Sequence, residues 1–89
     1  MSSKKDIKQL LDQHHDWPVV YTFKFIVKGD LELIAQTQDL FNTKTAAISM
    51  KNSSKGTYVS ITAKEVMNNA EEILDIYAKA KTIEGLIAL

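Results

Sequence analysis

The chain has 89 residues, of which 45% are hydrophobic and 25% charged, so it is long enough for one domain with a single core. Lysines and acidic residues balance at 11 each, which argues against bulk attraction to polyanions such as nucleic acids. Arginine and cysteine are both absent. This excludes bidentate guanidinium recognition of phosphate or guanine, and it excludes disulfides, thiolate nucleophiles and thiolate metal sites.

Residues 1–16 are interpreted as an N-terminal extension. Within it, residues 3–13 are predicted to form a short helix capped by Ser3, with an apolar side that includes Ile7 and Leu10. The start of the chain is charged, and no apolar run approaches the length of a membrane span. We therefore expect a cytoplasmic protein without a membrane association.

The first strand is predicted over Val19–Lys28, where apolar and polar residues alternate and one face is therefore buried. Asp30 then stands where a helix N-cap is expected. The helix is predicted to extend to about Thr43 and to cover the sheet. Its apolar face, at 100° per residue, comprises Leu33, Ile34, Thr37, Leu40 and Phe41.

A hairpin follows, with β-patterned runs at 45–51 and 58–64 joined by the polar loop 52–56. Asn69 and Glu72 form a capping-box pattern that opens a helix to about Lys81, and residues 83–89 are predicted to form a short strand. The order β-α-β-β-α-β predicts an α+β, ferredoxin-like split βαβ fold, with two helices on one face of an antiparallel sheet. Residues 17–89 should form this single domain.

Several short motifs resemble the YbeD-like family of small bacterial proteins, which carry a domain of unknown function. They are Trp17-Pro18 with the run 23–29, the hairpin segment 53–62, Ile76-Tyr77, and the tail 83–89. The chain differs from that family in having no cysteine near Pro18. The resemblance implies a ferredoxin-like fold similar to the small-molecule-sensing ACT domains, and it implies no catalytic residues.

One face of the predicted sheet should remain open, because the apolar strand residues face the helices. The residues left on that face are hydroxylic, cationic or aromatic, without a single acid. They are Thr22, Lys24, Lys28, Ser49, Lys51, Tyr58, Ser60, Thr62 and Lys64. We predict that they bind a protein partner or a small anionic metabolite. The alternative is a solvated sheet face, on which lysines need no function.

The hairpin loop is a second candidate site. Ser53, Ser54, Lys55 and Gly56 could hold an anion through consecutive backbone N–H groups. The alternative is an ordinary turn, in which Gly56 supplies a positive φ and the serines bond locally to the backbone.

The residues that a metal site or a nucleic-acid-binding site would need are missing or poorly placed in the sequence. Adjacent residues such as His14 and His15 project in different directions and are poorly arranged to share one metal ion. Lys55-Gly56 is similar to the start of the RNP1 motif, but Thr57 and Val59 occupy its base-stacking positions, which argues against nucleic-acid binding. We predict no catalytic, metal-binding or cofactor-binding residue.

Two functions stay open at this stage. The first is a non-enzymatic regulatory or interaction module that uses the open face or an edge strand. The second is a small enzyme whose site forms at an oligomer interface. The segment 83–89 carries no charge after Glu84, so we expect this edge either to pair in a homodimer or to be covered by residues 3–13.

Overall fold

The computed structural model describes residue 10 and residues 16–89. The predicted helix at 3–13 lies, apart from Leu10, outside the described residues. Four strands form one antiparallel sheet in the order β2-β3-β1-β4, and the chain order is β1-α1-β2-β3-α2-β4, as in a ferredoxin-like α+β fold. The elements are β1 Val19–Lys28, α1 Leu31–Gln38, β2 Ala47–Asn52, β3 Tyr58–Met67, α2 Ala70–Ala80 and β4 Ile87–Ala88.

The buried residues of the central strands β1 and β3 form the sheet side of the core. They pair along their whole length, from Val19 opposite Met67 to Lys28 opposite Tyr58. From Phe23 to Val27 alternate residues of β1 are fully buried, Val19 and Tyr21 in the same phase are partly buried, and the residues between them are mostly exposed. This confirms the predicted strand and its buried face. The buried set of β1 is Phe23, Phe25 and Val27.

Helix α1 begins as predicted but ends earlier. The Asp30 carboxylate accepts hydrogen bonds from the N–H groups of Glu32 (2.8 Å) and Leu33 (3.3 Å), which confirms the N-cap. The prediction that this helix reaches Thr43 is wrong, because the regular helix stops at Gln38. The N–H groups of Leu40 and Phe41 bond three residues back, which tightens the chain and turns the buried Phe41 toward the core.

Helix α2 begins at the predicted cap. The Asn69 side chain accepts the Glu72 N–H (2.9 Å), while the Glu72 carboxylate accepts the N–H of Asn68 (2.8 Å). The helix presents a buried stripe to the sheet, as its apolar spacing predicts. That stripe is Ala70, Ile73, Ile76 and Ala80.

The C-terminal strand is shorter than predicted. Only Ile87–Ala88 pair with β1, and the Leu86 N–H bonds to the Ile83 carbonyl, so the segment from Ile83 to Leu86 is a turn and not a strand. Gly85 lies in this turn with φ 83°. The prediction of a strand over 83–89 is therefore too long, and β4 is a two-residue edge strand.

Aromatic side chains fill the space between the sheet and the helices. The rings of Phe23 and Phe41 lie 5.3 Å apart, and those of Phe23 and Tyr77 lie 5.4 Å apart, measured between centroids. Leu33 and Ile34 of α1 also pack against the buried strand residues, and Ile73 and Ile76 of α2 lie in the core cluster, so both helices cover the same face of the sheet. The opposite face is not covered by either helix.

Candidate functional site

The face of the sheet opposite the helices is called the open face here. Strand register and burial place the predicted polar set of the sheet on it, because paired residues share a face and each buried residue points the other way. The predicted members are Thr22, Lys24, Lys28, Ser49, Lys51, Tyr58, Ser60, Thr62 and Lys64.

The lysines of the open face are spread over its successive rows. Lys64 stands opposite Thr22, and Lys24 stands opposite Thr62 in the next row. Lys51 is opposite Ser60, and Lys28 is opposite Tyr58. All four lysines are exposed.

No carboxylate of β1, β2 or β3 lies on the open face. Glu65 is the only acidic residue in these strands, and it pairs with Tyr21 in the set that faces the helices. Its carboxylate there accepts a hydrogen bond from the Thr45 hydroxyl (3.3 Å). Lys24, Lys51 and Lys64 therefore have no acidic neighbour in these strands, and together they favour a positive local potential.

The open face also carries apolar residues that the sequence analysis did not include. Val20 and Val66 stand opposite each other, 66% and 54% exposed, and the half-buried Ile26 pairs with Ile87 of β4. The alternation of β1 could have revealed Val20 and Ile26, since they are in phase with Lys24. The face is therefore amphipathic and not solely hydroxylic and cationic.

The hairpin loop uses several of its polar groups internally. Gly56 has φ 70°, and its N–H donates to the Ser53 carbonyl (2.9 Å). The Ser53 N–H donates to the Tyr58 carbonyl (2.8 Å), and the Tyr58 N–H donates to the Ser53 hydroxyl oxygen (3.2 Å). This geometry matches the turn alternative. Anion binding by Ser53, Ser54, Lys55 and Gly56 stays a prediction.

One shallow depression joins the loop to the open face. Its volume is about 220 Å³, and it contains members of both candidate sites that the sequence suggested separately. The residues that line it are Ile26, Lys51, Asn52, Ser53, Tyr58 and Ser60.

Two larger clefts on the helix side were not foreseen. One, of about 630 Å³, lies where β1 meets α1, and it places the carboxylates of Asp30, Glu32 and Glu84 near Lys28. The other, of about 390 Å³, includes Asp39 and Lys79. Their lining residues come from segments far apart in sequence, so no local motif indicated them. Both clefts mix acids with lysines.

Burial perturbs one tyrosine. Desolvation, together with a hydrogen bond between the Tyr77 and Tyr21 hydroxyls (3.2 Å), raises the pKa of Tyr77 well above its ordinary value. Tyr77 packs against Phe23 and Phe25 in the core. Its shifted pKa is therefore explained by packing on the covered side of the sheet and does not indicate a site.

Residues 16–89 with residue 10 contain no cluster of three His, Asp or Glu side chains that could hold a metal ion. His14 and His15 lie outside the described residues. In the same part of the chain, no helix is long and apolar enough to cross a membrane.

Comparison with known proteins gave one match. Residues 12–89 fit a family model described as "Protein of unknown function (DUF493)", which covers most of the chain. No curated protein and no solved structure matched the chain.

Proposed function

We propose that this chain, which belongs to the DUF493 family of proteins of unknown function, is a non-enzymatic regulatory or interaction module that binds a protein partner or a small anionic ligand through its open face. The YbeD-like and ACT-like resemblances support a regulatory role. A cytoplasmic location and a homodimer formed through β4 belong to the same proposal.

The composition of the open face is the observation that carries this proposal. Lys24, Lys51 and Lys64 share a face that neither α1 nor α2 covers and that contains no strand carboxylate, whereas Lys28, at the end of β1, lines a cleft with Asp30, Glu32 and Glu84. A surface of one charge sign attracts ligands of the opposite sign and disfavours cationic ones, even when the net charge of the chain is zero. We therefore expect an acidic partner or a small anion.

Matched charge variants test this proposal. One variant replaces Lys24, Lys51 and Lys64 with Gln, and a control variant replaces three exposed lysines outside the open face, Lys44, Lys79 and Lys81, in the same way. Both lose the same net charge. The measurement is fluorescence anisotropy of a labelled oligoglutamate peptide at low salt, together with capture of host proteins by each variant.

The open-face variant should bind the peptide several-fold more weakly than the control variant, because contributions of about 0.2–1 kcal/mol for each exposed charge contact accumulate. Equal loss in both variants would show that net charge alone decides binding, and would contradict a role for this face. Lys55→Gln, measured in parallel, separates the hairpin loop from the face. Chemical conversion of a captured metabolite would instead favour the enzyme alternative.

A further inference from the structure

The depression at the hairpin end of the open face has a largely apolar surface, and the polar residues Lys51, Ser53 and Ser60 are among those that line it. We infer that it is a binding site for a small organic carboxylate with a compact apolar body. This inference rests on the proposed function and specifies the ligand of the open face. It differs from the anion loop predicted from the sequence, because side chains of three strands and of Ser53 form the site and not the loop backbone.

The polar residues that line the depression can all donate hydrogen bonds, and none of them is an acid. Lys51 stands directly opposite Ser60 on the same face of the sheet, and both residues line the depression. The Ser53 hydroxyl oxygen accepts the Tyr58 N–H (3.2 Å), which leaves the hydroxyl hydrogen of Ser53 able to donate. A carboxylate is an acceptor with two oxygens and can take donors from more than one of these groups.

Ile26 and the Tyr58 ring contribute apolar surface to the depression. Ile26 is half-buried, Tyr58 is 43% exposed, and Ile87 continues the apolar surface beside Ile26. A fully hydrated inorganic anion would make no use of these contacts. An aromatic or branched aliphatic group would remove apolar area from water on binding.

The size of the depression limits the ligand. Its volume of about 220 Å³ is below the range of about 300–1,000 Å³ that is typical of sites for drug-sized molecules. The helix-side clefts are larger, but one carries Asp30, Glu32 and Glu84 against the single Lys28 and would repel a carboxylate, and in the other Asp39 offsets the charge of Lys79. The small depression on the open face is therefore the better match.

The test uses the full chain and phenylacetate as the probe. Two-dimensional NMR of backbone amides and methyl groups follows a titration with phenylacetate, with its uncharged analogue phenylacetamide, and with inorganic phosphate. We expect saturable shifts at Ile26, Ser53, Tyr58 and Ser60 with phenylacetate, and weaker binding of the other two compounds.

Two single variants remove the same charge, one beside the depression and one outside the open face. Lys51→Gln should weaken phenylacetate binding by about three- to fivefold, the size expected for one exposed charge contact. Lys44→Gln, an exposed position outside the open face, should leave it nearly unchanged. Retained core resonances in each spectrum confirm folding.

Three results would overturn the inference: shifts that do not saturate, equal binding of phenylacetamide, or equal effects of the two variants. The oligoglutamate measurement separates this failure from failure of the proposed function. If phenylacetate does not bind while binding of the peptide still depends on the open-face lysines, the inference of a small free carboxylate is wrong and an acidic peptide is the ligand. If both probes fail to depend on these lysines, the proposed function fails as well.

Discussion

Phe25 shows how a single residue links the strand pattern to the fold. It occupies a buried position in the alternation of β1, has no exposed surface, and its ring lies 6.1 Å from that of Phe41 and 5.9 Å from that of Tyr77. Its neighbours Lys24 and Ile26 belong to the open face. The same alternation that buries Phe25 thus places the candidate site on the other side of the sheet.

Replacing Phe25 with Ala should lower the free energy of unfolding by about 3–5 kcal/mol, because the substitution leaves a cavity between sheet and helices. Val20→Ala on the exposed side of the same strand is the control and should cost less than about 1 kcal/mol. Urea titration measures both. A loss near zero for Phe25→Ala would contradict the register of β1.

The hydroxyl pair Tyr21–Tyr77 predicts an alkaline limit to stability. Because the pKa of Tyr77 is raised in the folded chain above the ordinary value of 10.0, the folded state holds this proton more tightly than the unfolded state. The contribution is complete below pH 10 and is lost as the pH rises further. Denaturant titrations from neutral to alkaline pH should show a decline for the wild type that Tyr77→Phe reduces, and an unchanged alkaline slope in that variant would contradict this origin.

At the scale of elements, the strands and helices whose buried residues recur at a regular spacing were predictable from the sequence, and the irregular segments were not. Strand β1 and the caps at Asp30 and Asn69 follow from local pattern and hydrogen bonding. Leu40 and Phe41 also fit the helical spacing, yet they reach the core from turns after α1. Periodicity alone cannot distinguish these cases, because both place an apolar side chain on the core side.

The candidate site was predictable only in part, for a related reason. The period of a strand assigns residues to a face, which correctly grouped Lys24, Lys51 and Lys64. The pairing of Ile87 with Ile26 depends on the order of the strands and the register of β4, which local sequence does not contain. The depression beside Ser53 depends additionally on the conformation of the hairpin loop.

The hairpin loop gives a test at this scale. Gly56 has φ 70° and open space around its Cα, so Gly56→Ala should destabilise the chain by about 1–2 kcal/mol through backbone conformation alone. Gly56→Asn should cost less, because asparagine tolerates this region. Thermal unfolding of both variants checks the order. Equal stability of Gly56→Ala and the wild type would show that the loop does not need the positive φ.

Gly29 provides a contrasting position in the same region. A Cβ added there would lie 2.8 Å from the Gly56 carbonyl oxygen, and the Gly29 N–H donates to the Thr57 carbonyl (2.9 Å). The end of β1 and the hairpin loop are therefore in close backbone contact. This contact holds Ser53 and Tyr58 near the end of the open face where the depression lies.

At the scale of the whole molecule, the two central strands of the sheet pair along their whole length, and its two edge strands differ from each other. The order β2-β3-β1-β4 leaves β2 and β4 at the edges, as expected for the split βαβ fold. Within residues 16–89 no strand pairs with the outer side of β4, and Ile87 and Leu89 are 53% and 63% exposed. Unprotected apolar edges of this kind favour pairing with another chain.

We therefore predict concentration-dependent dimerisation that Ile87→Lys weakens. Sedimentation equilibrium from low to high micromolar concentration measures it, and Val20→Lys, at an exposed position away from β4, is the control. Amide protection of Leu89, whose N–H bonds to the Lys24 carbonyl (2.9 Å), checks that β4 stays folded in Ile87→Lys. A wild type that stays monomeric throughout would rule out the dimer and favour covering of this edge within the chain.

We expect the open face, and not the helix side, to bind an acidic ligand. Methyl NMR during a titration with oligoglutamate tests it most directly, because each face has its own methyl groups. We predict shifts at Val20, Ile26 and Val66, which lie on the open face. Shifts confined to Leu33, Leu40 and Ile83, which line the helix-side clefts, would contradict binding at the open face.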